Sequence, residues 1–276
     1  MSRVALIGNV AVDRIAGSEP RAGGGVYHAA RAAALIGADV VAVTRCAPAD
    51  RAVALAPLEA LGVPVEARDA DETTAFSFHY EGDHRVMTVD AVGEPWTVED
   101  VTGWAAPALA GSRWALVAGL LRSHFPAATV AALAEGGRRL LLDAQGLARV
   151  ARVGPLQRDD RIDRAVLHRL AVLKLNEDEA RTLAGGLDAD SLRALGVPEI
   201  VVTLGSDGAR VVTPDLDVPI RPRRVEVRNP TGAGDAFSLV YLDEHAGHAP
   251  ARRAATSAEA RSAASTGSSP CARPSR

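Results

Sequence analysis

Short apolar runs that end in glycine or polar residues recur along the chain. They occupy residues 4–7, 39–46, 63–67, 114–120, 139–142 and 199–204. Continuous apolar runs of this length are typical of parallel strands that are buried on both faces. Helical segments alternate with them, among them 31–37, 50–61 and 126–135. This alternation predicts an α/β fold, with a doubly wound and mainly parallel sheet flanked by helices.

Residues 73–90 interrupt the alternation of strands and helices. Phe76, Phe78 and Tyr80 occupy alternate positions, residues 81–84 contain a glycine, and an apolar run returns at 85–89. A period of two on both sides of a glycine-containing turn predicts a β-hairpin. Two interpretations stay open: a lid that covers a substrate and can also pair two subunits, or an edge hairpin of the main sheet.

Composition narrows the class of protein. The chain has 276 residues, of which 47% are hydrophobic and 24% charged, so it can bury a full core. The formal net charge of −3 gives no sign of nucleic-acid binding. We expect Cys46 and Cys271 to be reduced thiols. The sequence shows neither a signal peptide nor a membrane span, so the expected location is the cytoplasm.

Basic charge is carried almost entirely by arginine. Lys174 is the only lysine, a bias that indicates a GC-rich genome more than a function.

Gly232, Ala233 and Gly234 precede a single carboxylate, Asp235, and a segment that can continue as a helix. Small residues let backbone amides approach a ligand, and a helix N-terminus with free amides is an anion site. A carboxylate there would repel a phosphate unless it acts on a proton. Asp235 is therefore predicted to be a general base that activates a hydroxyl for attack on a phosphoryl group. The alternative is a tight turn with an aspartate N-cap.

Polar residues also follow other predicted strands. Asp13 lies shortly after the first strand, and Gln145 ends the strand at 139–146. In open α/β sheets, ligands bind beyond the carboxyl ends of the strands. Asn176 and Glu179 are three residues apart at a predicted helix start, where they can share one face and suit a magnesium ion beside phosphates. The alternative is an ordinary N-cap pair.

The run at 229–237, Asn-Pro-Thr-Gly-Ala-Gly-Asp-Ala-Phe, strongly resembles the signature of the ribokinase-like (PfkB) carbohydrate and nucleoside kinases. Further motifs follow the order of that family: Asp13, the glycines at 23–25, Asn176-x-x-Glu179 and the loop at 203–208. Together they cover nearly the whole chain. The resemblance implies a phosphotransferase that uses ATP and Mg²⁺ to phosphorylate a small sugar, polyol or nucleoside.

The resemblance also assigns roles to individual residues. It implies catalysis by Asp235 and the backbone at Gly232, Ala233 and Gly234, and a metal position at Glu179. The expected substrate-binding residues are Asp13, Gly23, Gly24, His28 and Gln145. The expected nucleotide-binding residues are Asn176, Thr203, Gly205, Ser206 and Gly208.

Some residues depart from the family pattern. His28 takes the place of an asparagine that contacts the sugar, which argues against simple ribose specificity. Asn229 stands where the family often has an aspartate, which argues against activation by a monovalent cation. The interval between Asp13 and Gly23 leaves little room for lid strands, so a small, reduced β lid is expected.

Asp-Ala-Gln-Gly at 143–146 resembles the inositol-kinase-like branch of the family.

The expected domain is residues 1–264, with the hairpin at about 73–90 as its lid and as a candidate homodimer contact. Residues 265–276 are rich in serine, proline, alanine and arginine and are predicted to be a disordered tail. Because the resemblance implies further helices at this end of the fold, the competing hypothesis is a ribokinase-like binding protein with impaired catalysis. A dinucleotide-binding oxidoreductase is less favoured, since no Gly-x-Gly-x-x-Gly follows the first strand.

Overall fold

The computed structural model describes residues 3–81, 84–221, 225–226, 231–246, 251, 254–258 and 269–270. Nine of its strands form one large sheet. In chain order these are β1 (Val4–Gly8), β4 (Val40–Cys46), β5 (Val65–Asp69), β8 (Trp114–Ala118), β9 (Arg139–Asp143), β11 (Val172–Asn176), β12 (Glu199–Thr203), β13 (Ala209–Val212) and β14 (Asp217–Ile220).

Across this sheet the order is β14-β13-β12-β11-β9-β8-β1-β4-β5. Pairing is parallel from β12 to β5 and antiparallel at β13 and β14. Every residue of β1, β4 and β8 is buried, which is the pattern that the apolar runs predict. The predicted doubly wound, mainly parallel sheet is confirmed.

Helices cover both faces of the large sheet. The helices are α1 (Gly25–Ile36), α2 (Ala56–Glu59), α3 (Val98–Thr102), α4 (Ala106–Leu109), α5 (Ala127–Glu135), α6 (Gln145–Ala148), α7 (Arg164–Leu167), α8 (Glu177–Ala184), α9 (Ala189–Arg193) and α10 (Ala233–Ala246). Neighbouring residues of β1 point to opposite faces: Leu6 packs in the cluster that contains α1 and α10, whereas Ile7 packs with α5 and α8.

A second sheet of five strands lies beside the first. Its strands are β2 (Ala11–Ile15), β3 (Arg21–Gly23), β6 (Thr74–Glu81), β7 (His84–Ala91) and β10 (Gly154–Pro155), in the spatial order β10-β7-β6-β2-β3. The predicted hairpin therefore exists as β6 and β7, and it belongs to this second sheet and not to the edge of the main one.

The expectation that the interval between Asp13 and Gly23 has little room for lid strands is wrong. The antiparallel strands β2 and β3 occupy it, with Asp13 itself inside β2. A turn that contains Gly17 at a φ of 80° joins them, and β3 has only three residues, so a short segment suffices. The lid is therefore larger than the sequence suggests.

Local differences also appear in two helices. The helix predicted at 50–61 is divided into a 3₁₀ turn (Pro48–Asp50), a π-helical turn (Arg51–Leu55) and α2. Pro57 has no N–H to continue a regular hydrogen-bond ladder. Helix α10 begins at Ala233, two residues earlier than expected, so Asp235 lies within its first turn.

Several expectations concern other parts of the chain. Asn229, Cys271 and most of the predicted tail at 265–276 lie outside the described residues. A short antiparallel pair, β15 (Val225–Glu226) with β16 (Ser269–Pro270), is described there. Cys46 is buried and is not in a disulfide. Within the described residues, no helix combines the length and apolar character needed to cross a membrane.

His124 links the two sheets. Its Nδ1 accepts a hydrogen bond from the backbone N–H of Leu120, which follows β8, at 3.1 Å. Its Nε2 donates to the carbonyl of Val92, which follows β7, at 2.7 Å. The side chain is fully buried, and this burial lowers the pKa of His124 to about 4. The imidazole is therefore neutral at pH 7 and uses both nitrogens to hold the lid sheet to the main sheet.

Replacing His124 with glutamine should flatten the dependence of stability on pH. Because the folded-state pKa is lowered, the unfolded chain takes up the proton first as the pH falls. The contribution of neutral His124 is present above pH 6.5 and is lost towards pH 4. Between pH 7 and pH 5 the wild type should lose roughly 2 kcal/mol more free energy of unfolding than His124→Gln. Urea denaturation at both pH values measures this difference, and equal losses would contradict it.

Candidate active site

A cavity of ≈ 180 Å³ opens at the carboxyl ends of the parallel strands, between the two sheets. The small sheet contributes Asp13 and the apolar side chains of Phe76 and Met87, and the large sheet with its helices and loops contributes the other charged side chains. The lining residues are Asp13, Gly24, Gly25, His28, Phe76, Met87, Leu120, Asp143, Gln145, Arg149, Lys174, Asn176, Glu179, Thr231, Gly232, Gly234 and Asp235. This is the edge of an α/β sheet at which ligands bind.

Most of the sequence-predicted site residues meet in this cavity. They are Asp13, Gly24, His28, Gln145, Asn176, Glu179, Gly232, Gly234 and Asp235. Two others lie beside it: Ala233 is the first residue of α10, and Gly23 lies behind Asp13. A Cβ atom on Gly23 would come within 2.4 Å of the Asp13 carboxyl carbon, so only glycine leaves room for that carboxylate.

The predicted nucleotide loop lies on the neighbouring strand. Thr203, Gly205, Ser206 and Gly208 do not line the cavity, but Thr203 pairs in register with Asn176, which does. Gly205–Asp207 form a 3₁₀ turn directly after β12. A ligand that extends from Asn176 along this edge would therefore reach the loop.

Asp235 lies in the first turn of α10 and faces the cavity. The side-chain amide of Gln145 donates to Oδ1 of Asp235 at 3.3 Å. On the other side, a Cβ atom at Gly25 would come within 2.9 Å of the same oxygen, so α1 can pack against Asp235 only through glycine. Burial and the negative charge of Asp143 raise the pKa of Asp235 to about 7, although Lys174 and Arg149 act in the opposite direction. The carboxyl can thus exchange a proton near neutral pH.

Lys174 and Asp143 form a buried ion pair beneath Asp235. Nζ of Lys174 lies 3.0 Å from Oδ2 of Asp143, and the two side chains are 5% and 4% exposed. The backbone N–H of Gln145 donates to Oδ1 of Asp143 at 3.3 Å, and the Ser238 hydroxyl lies 3.4 Å from Oδ2. Burial alone would lower the pKa of Lys174, but the nearby carboxylates, Asp143 first, raise it. The ammonium group is therefore firmly charged.

The two glycines before Asp235 are required by contacts inside the protein. Gly232 has a φ of 81°, and a Cβ atom there would lie 2.5 Å from Cγ of His28. A Cβ atom on Gly234 would lie 2.7 Å from Nζ of Lys174. Any larger residue at 234 would push the ammonium group away. The glycine spacing therefore brings His28 and Lys174 against the start of α10.

Asn176 and Glu179 form a reciprocal cap at the start of α8. The Asn176 side chain accepts from the N–H of Glu179, and Oε2 of Glu179 accepts from the N–H of Asn176, both at 2.8 Å. The structure therefore contains the N-cap pair that the sequence offered as the alternative. Both residues nevertheless line the cavity, and burial together with Asp143 raises the pKa of Glu179.

The charges of this region fit a magnesium ion that keeps most of its waters. No three His, Cys, Asp or Glu side chains converge as a metal cluster in the described parts of the chain. Mg²⁺ bound together with phosphates needs only one or two protein carboxylates. The cap occupies Oε2 of Glu179 and leaves Oε1 for such a role.

A family model, the pfkB family carbohydrate kinase, matches residues 6–276. The chain belongs to the pfkB family of carbohydrate kinases. This confirms the family, and with it the expectation that the protein is a phosphotransferase enzyme.

Solved structures of this fold align along almost the whole kinase. A pyrophosphate-dependent kinase in the ribokinase family, complexed with a pyrophosphate analog and myo-inositol, has a TM-score of 0.79 at 24% identity, covering 95% of this chain and 94% of that one. Burkholderia thailandensis nucleoside kinase with inosine gives 0.73 at 20%, covering 95% and 90%. Arabidopsis thaliana ribokinase with ribose and ATP gives 0.69 at 17%, covering 96% and 91%. At these identities the likeness shows the fold.

Sequence reasoning missed the charged residues beneath the general-base candidate: Asp143, Lys174 and Arg149. Lys174 carries a signal, since it is the only lysine and interrupts the apolar run of β11. A charged residue inside a buried strand needs a partner. Asp143 ends the neighbouring strand β9, and the two strands pair Lys174 with Asp143 in register.

Replacing Lys174 alone should destabilise the kinase strongly. In Lys174→Met the Asp143 carboxylate stays buried without its counterion, at a cost of about 3–5 kcal/mol in free energy of unfolding. The double variant Asp143→Asn/Lys174→Met removes both charges and should recover a large part of this loss. Urea denaturation of the wild type, both single variants and the double variant measures the coupling. Additive losses would show that the pair contributes nothing as a pair.

Proposed function

We propose that this kinase transfers the γ-phosphoryl group of ATP to a hydroxyl of a small polyol, sugar or nucleoside, with Asp235 as general base. One observation carries the proposal: Asp235 lies at the N-terminus of a 14-residue helix, inside a cavity that Asp13 and His28 line on one side and Asn176 and Glu179 on the other. An acceptor and a phosphate donor can therefore approach the same carboxylate from opposite sides.

In the proposed reaction, the acceptor oxygen attacks the γ-phosphorus and the bond to the bridging oxygen of the leaving ADP breaks. The hydroxyl proton passes to Asp235, which later releases it to solvent. A carboxyl with a pKa of about 7 suits this role, because it is ionised near neutral pH and still basic enough to accept the proton. Gln145 holds Oδ1 of Asp235 in one orientation.

The surrounding charges support phosphoryl transfer. The backbone amides at the start of α10, from Gly232 to Gly234, face the position where negative charge develops. Glu179 and Asn176 would hold Mg²⁺ close to the phosphates. When bound, that ion would neutralise part of the phosphate charge.

The cavity, which the acceptor and the donor phosphates would share, favours a small polar acceptor. Its volume of ≈ 180 Å³ is below the roughly 300 Å³ at which pockets for drug-sized ligands begin. Asp13 and His28 supply polar groups, whereas Phe76, Met87 and Leu120 form an apolar cover. Asp-Ala-Gln-Gly at 143–146 resembles the inositol-kinase-like branch, and the aligned structure with myo-inositol agrees with a polyol. We therefore place polyols first among the acceptors.

Inorganic pyrophosphate is a second candidate donor. The loop expected to contact a nucleotide, Thr203 to Gly208, lies outside the cavity, whereas two cations, Lys174 and Arg149, lie within it. A short donor made only of phosphate groups would use the cavity alone. One aligned kinase is pyrophosphate-dependent, which supports testing this donor beside ATP.

We also propose that two copies of the kinase pair through the hairpin of β6 and β7. Val86 on β7 is an exposed large hydrophobic residue, and it lies beyond the short pairing of β7 with β10, where β7 can accept a strand of another chain. Light scattering after gel filtration should give a dimer, and Val86→Lys should shift it towards monomer. A wild-type monomer at high concentration would contradict this proposal.

The decisive assay measures ADP release from ATP and phosphate release from pyrophosphate, with Mg²⁺, across a panel of polyols, sugars and nucleosides. We expect one acceptor class to be phosphorylated, with Asp235→Asn lowering kcat by roughly 10²–10⁴-fold. The rate of the wild type should fall as the pH drops below about 7, because protonation removes the base.

The matched control is Asp215→Asn, which changes an exposed aspartate that does not line the cavity. It should keep the wild-type rate. An unchanged rate in Asp235→Asn would remove this residue from the mechanism. Nucleotide binding without transfer to any acceptor would favour the competing hypothesis of a non-catalytic binding protein.

A further inference from the structure

Two arginines meet at the loop that follows α6: Arg149 belongs to this loop, and Arg122 reaches it from the segment after β8. Only the Arg122 side chain holds the loop together. The Arg122 guanidinium donates to the carbonyls of Leu147 at 2.8 Å, Ala148 at 3.3 Å and Asp159 at 3.1 Å. It also pairs with the Asp159 carboxylate at 2.5 Å. Arg122 is therefore a structural residue whose donors are used inside the protein.

Arg149 differs from Arg122, because only its backbone is engaged. Its N–H donates to the carbonyl of Gln145, and its carbonyl accepts from the N–H of Arg122. The guanidinium lines the active-site cavity. It makes no hydrogen bond or ion pair to any residue that the structure describes, and its Nε is buried without a partner. The loop thus keeps its shape without the Arg149 side chain.

The Arg149 side chain is half-buried at the cavity, and its buried Nε without an acceptor is costly to the folded protein. Burial lowers the pKa of Arg149, while the carboxylates of Glu179, Asp143 and Asp235 oppose this effect through their charges without bonding to it. An arginine nevertheless stays charged at neutral pH. Buried donors without acceptors destabilise a fold, and such groups persist where a ligand supplies the acceptors.

The position of Arg149 indicates which ligand supplies them. Arg149 follows α6, which packs against α8 near Asn176 and Glu179. The expected acceptor residues Asp13 and His28 come from β2 and α1 instead. The other cation of the cavity, Lys174, is already bound to Asp143. Arg149 is therefore the cavity cation whose donors are open to an anion on the side of Asn176 and Glu179.

We propose that Arg149 binds two oxygens of the phosphoryl group under transfer through its planar fork of N–H donors. This inference rests on the proposed kinase function, which it deepens by naming the residue that meets the transferred group. A guanidinium matches two phosphate oxygens at once, and its charge offsets the negative charge that those oxygens carry in the transition state. Arg149 is four residues beyond Gln145, so one helical turn places the base-orienting amide and the phosphate-binding guanidinium beside each other.

A comparison of stabilities separates this role from a structural one. Arg149→Met should unfold at about the same urea concentration as the wild type, or a higher one, in the absence of ligand, because it removes a half-buried charge that bonds to none of the described residues and a buried Nε without an acceptor. Arg122→Met, the matched control, should unfold at a clearly lower concentration, because it breaks the bonds that hold the loop. If Arg149→Met is destabilised as much as Arg122→Met, Arg149 is structural and the proposal fails.

Anion binding tests the guanidinium without relying on activity. Relative to sodium chloride of equal ionic strength, inorganic phosphate should raise the melting temperature of the wild type by a few degrees. This is roughly the effect of a ligand at a concentration well above its Kd. Arg149→Met should lose this rise. Arg149→Lys, which keeps the charge and loses the fork, should retain only part of it. An equal rise in Arg149→Met and wild type would overturn the proposal.

Kinetics then place the contact on the phosphoryl group. With the best acceptor of the wild type, Arg149→Met should lower kcat by about 10²-fold or more and leave the KM of the acceptor nearly unchanged. A raised acceptor KM at unchanged kcat would instead mean that Arg149 binds the acceptor. A different outcome is that the wild type phosphorylates no acceptor and still shows the phosphate-induced rise in melting temperature that Arg149→Met lacks. In that case the proposed function fails and the anion site stands.

Discussion

The buried ion pair between Lys174 and Asp143 is the interaction on which the active-site geometry depends. It joins β11 to β9 in the centre of the large sheet, and Asp143 also binds the N–H of Gln145 and lies near the Ser238 hydroxyl of α10. The first turn of α10, which carries Asp235, is thus held against the same carboxylate that fixes the start of α6. Because Gly234 leaves room for the ammonium group, the glycine before the base and the lysine beneath it form one packed unit. Removing both charges from water is unfavourable, but the pair also acts on Asp235, because the charges of Asp143 and Lys174 shift the pKa of that carboxyl in opposite directions.

The same pair sets the electrostatics of the cavity. Three carboxylates, Asp143, Glu179 and Asp235, lie close to two cations, Lys174 and Arg149. Lys174 forms an ion pair with Asp143, which offsets much of the negative charge of that carboxylate. Burial, together with the remaining effect of the Asp143 charge, raises the pKa of Asp235 to about 7. The Arg149 side chain forms no such ion pair with a described residue. The cavity thus offers carboxylates to a cation and an arginine to an anion, which is the combination that the proposed phosphate donor with Mg²⁺ would bring.

Sequence patterns predicted the large sheet well because burial on both faces leaves continuous apolar runs such as those of β1 and β4. They predicted the lid less well. Strands β2 and β3 are short and partly exposed, so neither burial nor alternation marks them, and the chain around Gly17 turns within a few residues. Motif residues such as Asp235 and Glu179 could be named from local spacing, since each lies beside a recognisable turn or cap. Asp143 and Lys174 could not, because their pairing depends on which strands become neighbours in the sheet, and that order is not written in the local sequence.

Both sheets contribute residues to the cavity, so the lid sheet is part of the candidate site. Asp13 and Phe76 reach the cavity from the small sheet, while Asp235, Gln145 and Glu179 reach it from the large one. In the proposed reaction, the acceptor would touch both sheets for its hydroxyl to meet Asp235, and a rotation of one sheet relative to the other would separate the two halves of the site. The neutral imidazole of His124 bonds the end of β7 to Leu120, which itself lines the cavity. This link from the lid sheet thus ends at the wall of the cavity, so His124 connects the end of β7 to a residue of the candidate site.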